Sequence, residues 1–137
     1  LLPAIIFLVA AFIGFAMGTS WGTIALILPI IIGVFDAADP LFLVAVGSAL
    51  AGAVYGDHIS PISDTTILSS AGAKCNHLRH VATQIPYATL VMIVCFVGYV
   101  IAGFTKSPWI SLALGVVLIV IAVLVLTRME ASKKAKA

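Results

Sequence analysis

Two aspartates interrupt an otherwise apolar part of this sequence. Asp57 and Asp64 belong to the run GDHISPISDTT, which follows a long apolar segment. In an unbroken helix, a separation of seven residues would place both carboxylates on one face, about two turns apart. An aspartate at the centre of a membrane-spanning helix costs roughly 2.5 to 3.5 kcal/mol, so it is rarely kept without a partner or a cavity. The pair predicts a functional site, and a hydrogen-bonded structural network is the alternative.

Hydroxyl side chains surround these two carboxylates. Hard cations prefer shells made of carboxylate, hydroxyl and carbonyl oxygens. Pro61 has no N–H and its ring collides with the carbonyl four residues earlier, which frees the Asp57 carbonyl as a further oxygen. We therefore expect an ion or substrate site made of both aspartates and the neutral oxygens of Ser60, Ser63, Thr65 and Thr66.

A second polar stretch, GTSWGT at residues 18–23, lies in the middle of the first apolar block. Its hydroxyl residues Thr19, Ser20 and Thr23 are candidates to close the site, because interrupted helices offer free N–H and carbonyl groups to a ligand. The alternative is packing, since Gly14, Gly18 and Gly22 are spaced by four, as are Ser48, Gly52 and Gly56.

Three histidines allow other interpretations. His58 neighbours Asp57 and is a candidate proton relay or a hydrogen-bonded structural histidine. Cys75, His77 and His80 lack a fourth zinc ligand. Asp57, His58 and Ser60 have the residue types of a hydrolase, but neighbours in sequence do not provide nucleophile, base and orienting group in a usable order. We predict neither an enzyme nor a cofactor.

The composition indicates which solvent surrounds these residues. The 137 residues are 63% hydrophobic and 9% charged, whereas soluble domains carry about 25% charged residues. The fold class is therefore an all-α, polytopic helical membrane protein in a lipid bilayer. No basic stripe with interleaved aromatic residues occurs, which argues against nucleic-acid binding. Cys75 and Cys95 are expected to be free thiols.

Four apolar blocks divide the chain. About 20 helical residues cross a bilayer core of about 30 Å. Residues 1–35 are too long for one crossing and too short for two, so we expect a re-entrant hairpin, with one crossing as the alternative. The other segments are a discontinuous helix at 40–72, spanning helices at 84–104 and 108–127, and a basic tail at 129–137, within a transmembrane region 1–128.

Local residue types support these boundaries. Asp39 can cap a helix that begins at Pro40, and Pro61 should break that helix. Asp64 is the expected cap of a second short helix, Thr65 to about Ser70. Thr83 or Gln84 is expected at the start of the next helix, and Ser107 before Pro108.

Charge placement predicts the orientation. Basic loops stay on the cytoplasmic side of a membrane. The tail, with Lys133, Lys134 and Lys136, and the loop at 73–83 are basic, whereas the 36–40 connection is acidic. The C-terminus should therefore be cytoplasmic, with Lys106 as one basic residue on the opposite side.

The motifs also carry a family resemblance. The run GDHISPISDTTILSSAGAKCNHLRHVATQIPYA, from Gly56 to Ala88, together with GTSWGT, resembles the signature regions of NhaC-type Na+/H+ antiporters. The resemblance implies Na+/H+ exchange across a bacterial cytoplasmic membrane, by the C-terminal part of a fold built from inverted repeats. The rest of the transporter chain is then a partner, and from the residues themselves we expect Na+ to bind at Asp57 and Asp64. We also consider a homodimer.

A mechanism follows for that implied exchange. Burial favours a neutral carboxyl group, whereas a bound cation favours the carboxylate, so Na+ and H+ compete for the same oxygens. Three rival functions remain. They are Na+- or H+-coupled transport of an organic anion or amino acid, as in malate/lactate antiporters, an intramembrane hydrolase, and a packing subunit that transports nothing.

Overall fold

Helices account for most of the chain in the computed structural model, which describes residues 1–134, except for the side chains of residues 108, 126 and 129–134. The six helices of that range are α1 (Leu2–Met17), α2 (Ser20–Val34), α3 (Pro40–Ile59), α4 (Asp64–Gly72), α5 (His77–Thr105) and α6 (Pro108–Lys134). Within it no strand is found, which agrees with the predicted all-α class. By length and composition, α3 and α5 can each cross a membrane. Of the predicted basic tail, residues 135–137 and the lysine side chains lie outside the described residues.

The first two helices fold back on each other. Ala10 of α1 and Ile31 of α2 belong to one buried cluster together with residues of α3. A continuous helix, which rises 1.5 Å per residue, would separate these two residues by about 31 Å. The chain reverses at Gly18, whose φ of 66° is left-handed, and at Thr19, whose side chain caps α2. The two helices therefore form a hairpin with its tip at residues 18–19.

Glycines bring α1 and α3 into backbone contact. A methyl group at Gly52 would overlap the carbonyl oxygen of Phe7, and one at Gly56 would overlap that of Ala11. The constant offset between contacting positions means that the two helices run parallel. The glycine spacing on α3 thus serves packing. At Gly22, by contrast, an added methyl group would meet only the side chains of Met17 and Thr19.

The broken segment has the predicted interruption but a different cap. Asp39 caps α3, accepting a hydrogen bond from the Leu41 N–H at 2.8 Å, as predicted. The prediction that Asp64 caps α4 is wrong. Ser63 is the cap and accepts from the Thr66 N–H at 3.3 Å, while Asp64 is the first helical residue. Both are good capping types, and a carboxylate in the first turn also gains from the helix dipole.

The fifth helix begins earlier than the sequence predicts. Asn76 caps α5 and accepts from the Arg79 N–H at 3.0 Å, so residues from His77 onward are helical and Pro86 lies inside the helix. The expected start at Thr83 or Gln84 is therefore wrong. Polar residues hide the first two turns from a hydropathy pattern.

The long helices are antiparallel neighbours. The Tyr99 hydroxyl of α5 donates to the Gly47 carbonyl of α3 at 2.9 Å. Ser111 of α6 donates to the Gly98 carbonyl of α5 at 2.7 Å. α5 thus packs against α3, and it also contacts α1, where the Phe7 ring lies 5.4 Å from the Tyr99 ring.

Candidate functional site

The hairpin tip lies against the break between α3 and α4, which consists of residues 60–63. A methyl group at Gly18 would lie 2.7 Å from the Ile62 carbonyl oxygen, so the two backbones are in contact. The Ser60 hydroxyl donates to the Phe15 carbonyl at 2.8 Å, across 45 positions of sequence. The two polar stretches that the sequence singles out therefore meet in space.

Four helix ends converge at this point. They are the C-terminal ends of α1 and α3 and the N-terminal ends of α2 and α4. Helix C-termini present partial negative charge from free carbonyls, and N-termini present partial positive charge from free N–H groups. This junction therefore provides both free carbonyl groups and free N–H groups within an otherwise apolar bundle.

Asp57 is buried in the last turn of α3. It is 5% exposed, and its Oδ1 atom is buried without a hydrogen-bond partner among the described residues. A methyl group at Gly14 of α1 would lie 3.3 Å from the Asp57 backbone nitrogen, so this turn packs directly on the hairpin. A buried polar atom without a partner is costly, and a carboxylate oxygen in that position can accept a proton or a cation.

Asp64 has a different environment. Its side chain is exposed in this chain and accepts a hydrogen bond from the Thr65 N–H at 2.7 Å. No hydrogen bond joins it to Asp57 within the described part of the chain. The two predicted carboxylates thus lie on either side of the break, one buried and one on the surface of α4.

The hydroxyl groups of the break are largely buried. Ser60 and Ser63 are fully buried, Thr66 is 3% exposed, and Thr65 is exposed. The Ser63 hydroxyl lies 2.9 Å from that of Thr65. The Ser60 hydroxyl also accepts from the Ile62 N–H at 3.3 Å. Buried hydroxyl oxygens are therefore concentrated at the break.

The hydroxyl groups of the hairpin build its tip. Thr23 is fully buried, and its hydroxyl donates to the Thr19 carbonyl at 2.8 Å. The Thr19 hydroxyl accepts from the Gly22 N–H at 3.4 Å. Ser20, the first residue of α2, is half-buried. These contacts give Thr19 and Thr23 a structural role at the tip, next to the break.

His58 faces away from the buried carboxylate. Its Nε2 lies 2.9 Å from the amide nitrogen of Gln84 on α5, and it borders a cavity of about 920 Å³ between α3 and α5. The cavity is lined mainly by apolar side chains. The turn of α3 that carries Asp57 packs on α1 at Gly14.

Two contacts at the break were not anticipated from the sequence. His77 Nε2 lies 2.7 Å from the Pro61 carbonyl oxygen, and His77 Nδ1 lies 3.1 Å from the Ser70 hydroxyl. The bond from Ser60 to the Phe15 carbonyl is a third such contact. No local pattern indicates these contacts, because the partners lie on different elements. Among the described residues, no cluster of three His, Cys, Asp or Glu side chains suits a bound metal.

Comparisons with known proteins identify a family and several relatives of this chain. A sequence model of the Na+/H+ antiporter family matches residues 1–104, from α1 almost to the end of α5. An uncharacterized protein of Haemophilus influenzae is 52% identical over 107 residues, covering 77% of this chain and 21% of the relative. No solved structure matches the chain.

Two further relatives carry transport names. The malate-2H+/Na+-lactate antiporter of Bacillus subtilis is 35% identical over 98 residues, which is 71% of this chain and 21% of that protein. An uncharacterized Na+/H+ antiporter of Haemophilus influenzae is 36% identical over 80 residues, which is 58% of this chain and 17% of that protein. The chain thus spans about a fifth of the length of the relatives it matches.

Proposed function

The chain belongs to the Na+/H+ antiporter family, and on that premise we propose that it contributes the ion site of a secondary active transporter that exchanges Na+ for H+. The observation that supports this best is Asp57. Its carboxylate is buried beside two helix interruptions, with one oxygen that has no hydrogen-bond partner in the described chain.

Competition for this carboxylate provides the exchange. An unpaired negative charge is unfavourable in a buried position, and either a proton or a cation removes the penalty. Because both occupy the same oxygens, binding of one expels the other. Alternate opening of the site to the two sides of the membrane then couples the two fluxes.

Neighbouring oxygens complete the proposed Na+ shell. Na+ is a hard cation that takes oxygen ligands, and the carboxylate alone does not fill such a shell. We assign the buried hydroxyls of Ser60, Ser63 and Thr66 as neutral ligands, with Asp64 and Thr65 as a second, outer group. Thr19, Ser20 and Thr23 close the site from the hairpin. The His58 side chain lies against Gln84 of α5, and no hydrogen bond joins it to Asp57 among the described residues, so we leave it outside the proposed shell.

The proposed architecture places this site in a bilayer. The hairpin of α1 and α2 is re-entrant, α3 and α4 form one discontinuous crossing, and α5 and α6 span the membrane. This bundle is one half of an inverted-repeat transporter in the cytoplasmic membrane, and its C-terminus is cytoplasmic. The rest of the transporter chain supplies the other half.

The decisive experiment measures Na+-driven proton flux in proteoliposomes containing the full-length transporter. Asp57→Asn removes the charge at nearly constant volume, and interactions with a charged group contribute about 1.5 to 3 kcal/mol. We therefore expect Na+ affinity to fall roughly 10- to 150-fold and coupled flux to be lost. Asp36→Asn is the matched control, because Asp36 lies in an exposed turn. Unchanged flux in the Asp57 variant would rule the proposal out.

The same assay separates the two carboxylates. Asp64→Asn should reduce Na+ affinity less than Asp57→Asn, because Asp64 is exposed and Asp57 is buried. An Asp64 variant that loses exchange while the Asp57 variant retains it would move the primary site to α4.

A second candidate function is exchange of an organic anion. The relative named as a malate-2H+/Na+-lactate antiporter supports this candidate, since the match covers 71% of this chain. Vesicles loaded with lactate and diluted into malate distinguish the two functions. Na+-driven proton movement without any organic acid supports the Na+/H+ antiporter, whereas strict dependence on malate or lactate supports the organic-anion exchanger.

A further inference from the structure

A cavity of about 920 Å³ lies between α3 and the first half of α5. Pockets that bind small molecules usually measure about 300 to 1,000 Å³. Much of its wall is apolar and consists of Leu50 and Val54 on α3, Val91 and Met92 on α5, and Phe7 on α1. Among the described residues that line it, none is Asp, Glu, Lys or Arg. The cavity therefore suits a largely apolar occupant rather than a free ion or a small carboxylic acid.

The polar groups of the cavity are gathered at one end. Thr83 and Gln84, in the second turn of α5, lie at the level of His58 in the last turn of α3. Tyr55 and Tyr87 follow about one turn further in. Tyrosine is common at the depth where lipid headgroups meet hydrocarbon. The wall thus changes from polar to apolar along the helices, as an amphiphilic molecule does along its length.

Gln84 has one hydrogen-bonding atom without a partner. Its amide nitrogen lies 2.9 Å from Nε2 of His58, whereas its Oε1 is buried with no hydrogen-bond partner in the described part of the chain. A buried carbonyl oxygen without a donor is unfavourable. Because the terminal torsion of a glutamine is soft, a small rotation turns this oxygen toward the cavity. An occupant with an N–H or O–H donor at its polar end would satisfy it.

The length of the cavity distinguishes a lipid from a helix. From Gln84 to Cys95, the lining residue furthest along α5, the helix rises about 16 Å. That is about half of a hydrocarbon core of about 30 Å, or one leaflet. One turn beyond Cys95, the Tyr99 hydroxyl joins α5 to the Gly47 carbonyl of α3. A spanning helix would need a groove about twice as long, whereas the acyl chains of a lipid fit this length.

We propose that the cavity binds one phospholipid, with its acyl chains between α3 and α5 and a headgroup that donates a hydrogen bond to Gln84. The favoured lipid is phosphatidylethanolamine, because a primary ammonium group has three N–H donors and the trimethylated choline headgroup has none. The lining described here has no carboxylate that would repel the phosphate. The proposal rests on the proposed placement of the bundle in a bilayer, and it does not use the ion site.

The first test is lipid selectivity in the full-length transporter. It is purified from nanodiscs that contain equal amounts of phosphatidylethanolamine and phosphatidylcholine with the same acyl chains, and native mass spectrometry counts the lipids that stay bound. The parent should favour phosphatidylethanolamine about 2- to 13-fold, the range for one net hydrogen bond. Gln84→Leu removes the acceptor and should abolish this preference, whereas Gln84→Glu keeps acceptor oxygens and should retain it. Thr89→Val, a polar-to-apolar change on α5 outside the lining, is the matched control and should behave as the parent does.

A second pair of variants locates the bound lipid. Val91→Trp places a large side chain in the cavity, whereas Ile93→Trp places one on the same helix at a residue that does not line it. The Val91 variant should retain fewer lipids than the parent, and the Ile93 variant should retain the same number.

Two results would overturn the proposal. They are equal retention of the two lipids by the parent, and unchanged retention in Val91→Trp. Both are expected if a helix from the rest of the transporter chain fills the cavity instead. The assay needs neither Na+ nor a proton gradient, so lipid preference without ion exchange would refute only the proposed function. Ion exchange without lipid preference would refute only the lipid site.

Discussion

Asp57 is the buried member of the four aspartates that the structure describes. Asp36 and Asp64 are exposed, Asp39 is half-buried and caps α3, and each of these three accepts a backbone N–H. The Asp57 side chain has a buried oxygen with no such partner in the described range. Capping and turn formation therefore explain the other three aspartates, and they do not explain Asp57.

Gly18 is the residue on which the contact between tip and break depends. Its φ of 66° is left-handed, and a methyl group there would lie 2.7 Å from the Ile62 carbonyl. Gly18→Ala should therefore combine a backbone cost of roughly 1 to 2 kcal/mol with a steric clash. We expect lower thermal stability and weaker Na+ binding.

A second substitution separates the two causes. Asn tolerates the left-handed region but still has a Cβ atom. Gly18→Asn should therefore recover part of the stability while Na+ affinity remains low, because the Ile62 contact is still disturbed. If Gly18→Asn restored both quantities to the parent values, the clash with the break would be irrelevant.

Residue types predict the local structure around them, but they do not predict contacts between distant parts of the chain. Asp39 before Pro40 and Pro61 in an apolar helix each act on their own neighbours, so the cap and the break could be predicted. Ser63 and Asp64 are equivalent capping types, and only the folded backbone selects between them. The bond from His77 to Pro61 joins residues on separate elements, and sequence reasoning had no means of finding it.

At the scale of elements, helix lengths determine where the break lies. The 20 residues of α3 correspond to about 30 Å and the 9 residues of α4 to about 14 Å. The break is therefore nearer the α4 end of this segment than its middle.

The seam between α1 and α3 makes a testable contribution to stability. A methyl group at Gly56 would overlap backbone atoms of α1 that no side-chain rotation can move. Gly56→Ala should therefore destabilise the protein by about 1 to 3 kcal/mol, as overpacking usually does, and displace the hairpin tip. Thermal unfolding of the purified transporter measures the first effect and Na+ binding the second.

Gly33→Ala is the control for this substitution. Nothing lies within 4 Å of a methyl group at Gly33 on α2, so the change should be neutral or stabilise the helix by up to about 1 kcal/mol. Equal losses of stability in the two variants would mean that the loss at Gly56 does not arise from the seam.

Elements were predictable where the apolar pattern is continuous. The predicted segment 40–72 contains α3, and the predicted segment 84–104 contains the apolar part of α5. Pro29 and Pro86 lie inside helices, which shows that proline alone does not mark a helix end in this chain. The start of α5 was missed because its first two turns carry His, Arg and Gln, which look like a loop by hydropathy.

At the scale of the whole molecule, the bundle has two chemically different ends. A methyl group at Gly103 would lie 2.9 Å from the Leu1 backbone nitrogen, so the start of α1 adjoins the end of α5. Phe35 and Phe42 pack on one cluster, which brings the end of α2 and the start of α3 together. The hairpin tip, the break and the start of α5 lie at the opposite end. The hairpin thus begins and ends on the side that bears the acidic 36–40 connection.

This arrangement predicts which loops a membrane-impermeant reagent can reach. Cys75 is exposed in the loop between α4 and α5, and Ala37 is exposed in the acidic connection at the other end. In a transporter whose other thiols have been removed, a charged maleimide should label Ala37→Cys but not Cys75 in intact cells, because basic loops are cytoplasmic. Inverted vesicles should give the reverse pattern. Labelling of both positions from one side would mean that α3 and α4 do not cross the membrane together, and the site at Asp57 would then need an access route different from the one proposed.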